Sequence, residues 1–203
     1  MAVWLSQRIV LAQSRDDPSL AGTHQYVLIH SGNKFGTGTH PTTRICLAML
    51  EDILSERSSV LDLGTGTGIL AICAAKLHAR HVVAIDHDVD ACQIAMHNIM
   101  NNGLHGAVRV INGRLDALSD HARFDVALAN LELHTLAHVI PPLKDHLSPH
   151  GFLVTSGVQS VAQTDLMNLL ADSGFTPLSS RTEGAWVGFL ASPAKGRSLE
   201  EMS

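Results

Sequence analysis

Basic charge is scarce in this 203-residue chain: Lys and Arg number 14 against 19 Asp and Glu, a formal net charge of −5. A domain that holds nucleic acid by itself shows a basic face. The few basic residues here form no cluster, so direct binding of RNA or DNA is not expected. Cysteine is sparser still. Cys46, Cys73 and Cys92 each lie in an apolar stretch with no C-x-x-C spacing, and read as small buried hydrophobes of a reducing compartment. No uninterrupted apolar run approaches the ~20 residues needed to span a membrane. Met1–Leu20 lacks a basic start followed by an apolar core and a small-residue cleavage site. The expectation is a cytoplasmic protein without a membrane partner. Histidine is plentiful at 13, and His134 and His138 have i,i+4 spacing. The glutamate of H-E-x-x-H is absent, however, so solvated or capping histidines are expected rather than a metal site.

What is present is apolar residue, 45% of the chain, which excludes a disordered polymer and suits one domain with a single core. Val60–Leu63 is a short apolar run suited to a buried strand. Gly64, Gly66 and Gly68 then permit a tight turn and close ligand approach, and Ile69–Leu77 is apolar on nearly every side, as a helix packed on a sheet would be. Strand, glycine turn and helix open a nucleotide-binding α/β fold. A dinucleotide fingerprint requires G-x-G-x-x-G; here Ile69 holds the place of the third glycine and the spacing is G-x-G-x-G. With Asp62 ahead of it, this is the pattern of S-adenosylmethionine sites, although a bare glycine triplet also serves as a plain turn. A second signal is Asp86, 18 residues beyond Gly68 at the end of the apolar run His81–Ile85. An acidic residue at that strand tip can accept hydrogen bonds from both ribose hydroxyls, while Asp88 or Asp90 suits a helix cap.

Periodicity fills in the remaining elements. Residues 41–55 read as a helix with Pro41 in its first turn and His40 or Thr39 near the cap. Asp90–Asn102 reads as a helix with Cys92, Ala95, Met96 and Ile99 on one face and Gly103 past its end; Met96 and Met100 read as core filler. Val108–Ile111, Phe124–Asn130 and Gly151–Ser156 read as strands. Leu133–Ile140 reads as a helix with Leu133, Leu136, Ala137 and Ile140 inward, broken or kinked by Pro141-Pro142. Ser160-x-x-Gln163 fits a capping box, and Phe175–Ser180 with Ala185–Ala191 reads as a closing antiparallel pair. Trp4–Leu11 reads as a short strand or a helical turn, and the stretch from Asp16 to Gly22 as loop. The plan is residues 1–25 as an N-terminal extension, 26–191 as the catalytic domain and 192–203 as a flexible tail.

The nine residues Phe35-Gly36-Thr37-Gly38-Thr39-His40-Pro41-Thr42-Thr43 make a specific match. Together with DLGTGTGILAI (Asp62–Ile72), ALANLELHTL (Ala127–Leu136) and EGAWVGFLA (Glu183–Ala191), they resemble the PrmA family, whose members methylate large-subunit ribosomal protein eleven with S-adenosylmethionine. Thr65 stands where many members have Cys, and Glu132 is a departure. The resemblance implies a class I S-adenosylmethionine-dependent methyltransferase fold: α/β and Rossmann-like, with a seven-stranded, mostly parallel sheet and helices on both faces. It implies a cofactor site drawn from Phe35, Thr39 and Thr43 in the first motif and from Asp62, Gly64, Thr65 and Gly66 in the second. Asp86 and Asn130 complete the set, Asn130 holding the cofactor's amino group or orienting the nucleophile.

Methyl transfer from a sulfonium needs no protein nucleophile, only alignment. An amine acceptor must be neutral, and His40 and Glu132 are the weak candidates for a base. The substrate that the resemblance implies is a protein amine, as on a ribosomal protein. Family members carry a separate N-terminal recruiting domain, which about 25 residues cannot form, so a small-molecule N- or O-methyltransferase stands as the alternative. A non-catalytic partner subunit is a third reading, opposed by the intact glycine turn, Asp86 and Asn130.

Overall fold

Parallel strands buried on both faces need helices above and below them, and the alternating apolar runs of this chain provide both. The computed structural model describes residues 2–14, 25–31 and 36–193. It begins with three short strands, β1 (Val3–Trp4), β2 (Ile9–Ala12) and β3 (Gln25–Leu28), then α1 (Pro41–Ile53). There follow β4 (Ser59–Leu63), α2 (Ile69–Lys76), β5 (His81–Asp86), α3 (Val89–Asn101), β6 (Val108–Asn112) and β7 (Phe124–Asn130). The chain continues through α4 (Leu133–Leu143), β8 (Leu147–Gln159), α5 (Gln163–Asp172), β9 (Phe175–Glu183) and β10 (Trp186–Pro193). Seven strands form one sheet in the order β6-β5-β4-β7-β8-β10-β9. The first five are parallel, and β10 pairs antiparallel with both β8 and β9. This is the seven-stranded, mostly parallel architecture expected from the sequence.

Side chains alternate along each strand and so divide the core in two. Val60, Val82, Ala84, Val126, Leu128 and Val154 pack with α1 and α2, whereas Leu61, Leu63, Val83, Ile85, Ala127 and Leu153 pack with α4 and α5. The strand order reverses between β4 and β7, so the carboxyl ends of β4, β5 and β7 open into the crevice where such sheets bind ligands.

The N-terminal strands join the same packing. β1, β2 and β3 form a separate three-stranded sheet, and Leu5, Ile9 and Val27 are buried in the cluster that contains α1 and α2. The free edge of β3 is satisfied by side chains of α3 rather than by another strand. Asn98 accepts from the His30 N–H and donates to the His30 carbonyl, both at 2.9 Å, and donates to the Thr67 carbonyl at 2.9 Å. Asn102 accepts from the Leu28 N–H at 3.0 Å and donates to its carbonyl at 2.8 Å.

Several local expectations are corrected. Met96 and Met100 are 46% and 66% exposed rather than core filler. The stripe of α3 that faces inward is Ala91, Cys92, Ala95, Asn98 and Ile99, because the buried asparagine earns its place by hydrogen bonding where a methionine has only bulk to offer. Pro141 and Pro142 do not break α4, which runs on to Leu143. The two prolines forfeit bonds to the carbonyls of Ala137 and His138, exposed residues whose carbonyls water can satisfy, while Leu136, Ile140 and Leu143 stay fully buried. Ala137, expected inward, is exposed. Ser160 and Gln163 form no capping box: a 3-10 turn over Ser160–Ala162 precedes α5, and the Ser160 N–H donates to the Ala185 carbonyl at 2.8 Å. The loop around Asp16–Gly22, Phe35, and the tail beyond Pro193 lie outside the described residues.

Asn98→Ala is expected to leave the His30 amide and carbonyl and the Thr67 carbonyl without a partner, at a cost of about 2–4 kcal/mol. Urea unfolding checks this. A loss under about 1 kcal/mol would show that the amide pairing contributes little beyond packing.

Candidate active site

The site begins where β4 ends. Gly64, Gly66 and Gly68 have φ of 71°, 55° and 82°, in the left-handed region that side chains disfavour. The turn they make brings the Gly64 and Thr65 N–H groups onto the Ile85 carbonyl at 2.8 and 3.0 Å, binding the turn to β5. A Cβ on Gly64 would come within 2.5 Å of Leu131 Cδ2, so the turn and the residue after β7 touch directly.

Two carboxylates brace this turn. Asp62 is 2% exposed; its Oδ2 accepts the Thr65 hydroxyl at 2.6 Å and the Ala71 N–H at 3.1 Å. Burial pushes its pKa up to about 6, the two hydrogen bonds pull against that, and the like charge of Asp86 pushes the same way as burial. Asp86 accepts the Gly66 N–H at 2.9 Å through Oδ2 and the Asp88 N–H at 3.0 Å through Oδ1. Each carboxylate oxygen has a second lone pair, so both oxygens keep capacity for ligand hydroxyls. Asp88 caps α3, accepting from the Asp90 N–H at 2.9 Å.

A single cavity of about 720 Å³ collects most of the expected residues: Thr43, Asp62, Gly64, Thr65, Gly66, Asp86 and Asn130 all line it. Thr43 is fully buried in the first turn of α1, and its Oγ1 has no hydrogen-bond partner; the same is true of Asn130 Oδ1 at the end of β7. An unpaired buried oxygen costs about 1–3 kcal/mol, and a cavity edged by two of them, beside two carboxylates, suits a polar ligand that carries positive charge. Thr39 is exposed, its hydroxyl 3.3 Å from that of Thr37, and is not among the lining residues.

The two base candidates sit at the mouth. His40 is the N-cap of α1, with Nδ1 2.8 Å from the Thr42 hydroxyl and 3.4 Å from its N–H. Burial first, then the Arg44 charge, lowers its pKa, against an opposing pull from Glu183. Its ring meets the Trp186 ring edge-on, with centroids 4.8 Å apart. Glu132 is exposed at the N-cap position of α4, 3.3 Å from His134 Nδ1. His138 is also exposed, with Nδ1 2.7 Å from the His134 carbonyl. Among the described residues no group of three metal-ligating side chains is assembled.

Sequence reasoning missed Trp186, Leu131 and Gly157 as lining residues. Gly157 has φ 92°, and a Cβ there would lie 2.4 Å from the Leu131 carbonyl oxygen. The available signal was an isolated glycine inside a strand pattern, which marks close approach of another backbone.

Comparison with known proteins finds relatives of the chain. The family model described as ribosomal protein L11 methyltransferase (PrmA) matches residues 3–193. The ribosomal protein L11 methyltransferase of Chloroflexus aurantiacus is 37% identical over 187 residues, covering 81% of this chain and 57% of that protein. That of Desulforamulus reducens is 33% identical over 189 residues, covering 93% of this chain and 61% of that protein. The chain thus spans less than two thirds of the length of these relatives. The crystal structure of a ribosomal protein L11 methylase from Lactobacillus delbrueckii subsp. bulgaricus superimposes with a TM-score of 0.86 at 27% identity, covering 95% of this chain and 98% of that one.

The raised pKa of Asp62 has a stability consequence. The folded state holds this proton more tightly than the unfolded chain, so the contribution of Asp62 to stability falls as pH rises from about 4 to about 6. Both of its hydrogen bonds land on Oδ2, so the amide oxygen of Asp62→Asn can keep them without the charge. Asp62→Asn is expected to be more stable than wild type at pH 7 by about 2 kcal/mol, with the difference vanishing near pH 4. Paired denaturation curves at the two pH values check it; a difference independent of pH would contradict the assignment.

Proposed function

We propose that this chain, which belongs to the ribosomal protein L11 methyltransferase (PrmA) family, transfers a methyl group from S-adenosylmethionine to amino groups of a protein. A ribosomal protein is the substrate that the relatives' names suggest. The observation that carries the reading is the convergence of Thr43 Oγ1 and Asn130 Oδ1, buried and unpartnered, on the cavity that also holds the glycine turn and two carboxylates.

These residues fit the cofactor. Asp86, with lone pairs to spare, would take the ribose hydroxyls. Gly64, Thr65 and Gly66 would let its body lie against backbone, and Asp62 would face its cationic end. Asn130 and Thr43 would accept from its ammonium or from the incoming amine. When bound, S-adenosylmethionine supplies an electrophilic methyl on a sulfonium. The chain's own task is alignment, which is worth roughly 7–11 kcal/mol of barrier where the reacting atoms are held in line.

Proton removal from the acceptor asks for little. Burial in an apolar mouth lowers an amine's pKa and favours the neutral form that attacks. Burial and the Arg44 charge lower the pKa of His40, but its Nδ1 is occupied in capping α1. Glu132, exposed at the rim, is placed to draw a cationic side chain rather than to deprotonate it. No helix among the described residues is long and apolar enough to cross a membrane. The buried free thiols of Cys46, Cys73 and Cys92 suit a reducing compartment, and the cytoplasm is the proposed location.

Asp86→Ala is expected to abolish S-adenosylmethionine binding by calorimetry while thermal unfolding stays cooperative; wild-type affinity in that variant would remove the ribose assignment. The substrate class is tested by incubating the protein with labelled S-adenosylmethionine and either ribosomal proteins or a metabolite extract. Label in a ribosomal protein is the expected result. Label confined to low-mass compounds would replace the protein acceptor with a small molecule, and no label in either would withdraw the reading.

A further inference from the structure

Part of the cavity lining comes from segments far apart in sequence: the first glycine-rich motif at His40 and the start of β10 at Trp186. Neither segment is held there by sheet hydrogen bonding to the other. Beyond the core packing of α1 on β10, Arg44 links their ends by hydrogen bonds. Its Nη1 donates to the Thr39 carbonyl at 2.8 Å, while its Nε, at 2.8 Å, and its Nη2 both donate to Glu183 Oε1. Glu183 is the last residue of β9, and Trp186 lies three residues on, across a turn in which Gly184 has φ 58°. One guanidinium thus spans the turn that ends in His40 and the tip of the hairpin that carries Trp186. The tip is braced from behind by the bond from the Ser160 N–H to the Ala185 carbonyl. Where the two segments meet, the His40 and Trp186 rings stand edge to face at 4.8 Å.

We propose that Arg44 is a positioning residue for the acceptor side of the cavity: through Glu183 and the Thr39 carbonyl it sets the spacing of the His40–Trp186 wall past which the methyl acceptor enters. Arg44 and Glu183 are about one-third exposed, 32% and 39%, so their pairing adds little to global stability. Its consequence is local geometry. Arginine suits the task because its planar fork presents donors in two directions, which a lysine ammonium on a flexible stem does not reproduce. Neither Arg44 nor Glu183 lines the cavity, and Arg44 bonds to none of the residues that brace the glycine turn. The cofactor half is therefore expected to stand when the wall loosens. The inference rests on the methyl-transfer reading for its catalytic consequence, but its structural half can be read without any reaction.

The test uses the full chain in a Trp4→Phe background, which leaves Trp186 as the single tryptophan. Acrylamide quenching of its emission, with no ligand present, reports the wall directly. Arg44→Ala is expected to raise the quenching constant of Trp186, to leave the S-adenosylmethionine dissociation constant within about threefold, and to lower kcat/KM for the acceptor by about tenfold to a hundredfold. Arg44→Lys is expected to fall between wild type and Arg44→Ala in both readouts. Glu183→Gln keeps an oxygen acceptor and is expected to have the smaller effect. Unchanged quenching in Arg44→Ala, or cofactor affinity lost in step with acceptor turnover, would overturn the proposal. If Arg44→Ala fails to unfold cooperatively, Glu183→Ala, which removes the acceptor of both Nε and Nη2, overturns it instead when quenching and kcat/KM are unchanged. A wild type that binds no cofactor and methylates nothing would strike the methyl-transfer reading and leave the quenching result to decide the positioning role.

Discussion

The buried carboxyl of Asp62 sets the terms for the rest of the cavity. It stands at the end of the central strand β4, donors reach one of its oxygens from Thr65 and Ala71, and the other charge that acts on it, Asp86, has the same sign. An acid in that position costs stability at neutral pH, and the cost is relieved by protonation or by a cation. The glycine turn is folded around this arrangement, with Asp62 fixing Thr65 and Asp86 fixing Gly66. The turn is therefore held by two acids, of which the buried Asp62 is relieved by a positively charged neighbour. A free protein arranged so is less stable than it could be at neutral pH, and a cationic ligand beside Asp62 would recover the deficit.

The cavity has two sides of different construction. One is supplied by the carboxyl ends of β4, β5 and β7, adjacent strands whose positions are fixed by the sheet. The other is supplied by the first turn of α1 and the tip of the β9–β10 hairpin, the ends of elements whose bodies are packed in the core and paired in the sheet. The Thr67 hydroxyl donates to the Gly36 carbonyl at 2.8 Å, tying the first glycine-rich motif to the second. Thr67 is in turn held through its own carbonyl by Asn98.

Those two sides differ in how legible they were. The glycine turn, Asp62 and Asp86 lie within 25 residues and follow from rules about backbone conformation and strand tips, so local reading found them. The caps at His40 and Asp88 were found for the same reason. Arg44 and Glu183 are 139 residues apart, and nothing in either neighbourhood announces the other. Met96 and Met100 were misplaced because apolar content was weighed against a polar residue, Asn98, whose hydrogen-bond partners come from another segment. Pro141 and Pro142 were read by their cost alone, without the burial of Leu136, Ile140 and Leu143 that outweighs it. Gly157 was passed over because a strand glycine has meaning only through the backbone that crosses it.

The covering of the β3 edge shows how a helix can stand in for a strand. Four residues of helix advance about 6 Å, and two residues of strand advance about 6.6 Å. Asparagines four apart, Asn98 in α3 and Asn102 at its C-cap, therefore fall opposite alternate residues of β3 and its extension. Asn98 meets His30 and Asn102 meets Leu28, with the two segments running in opposite directions. A carboxamide carries one acceptor and a pair of donors and can answer a peptide group in full, which neither a carboxylate nor an ammonium can do. That match removes the unpaired edge that an exposed strand would present. It also fixes the chain at His30, shortly before the motif that reaches the cavity at Gly36 and His40. The strands that precede the motif are thereby bonded to α3 and its C-cap.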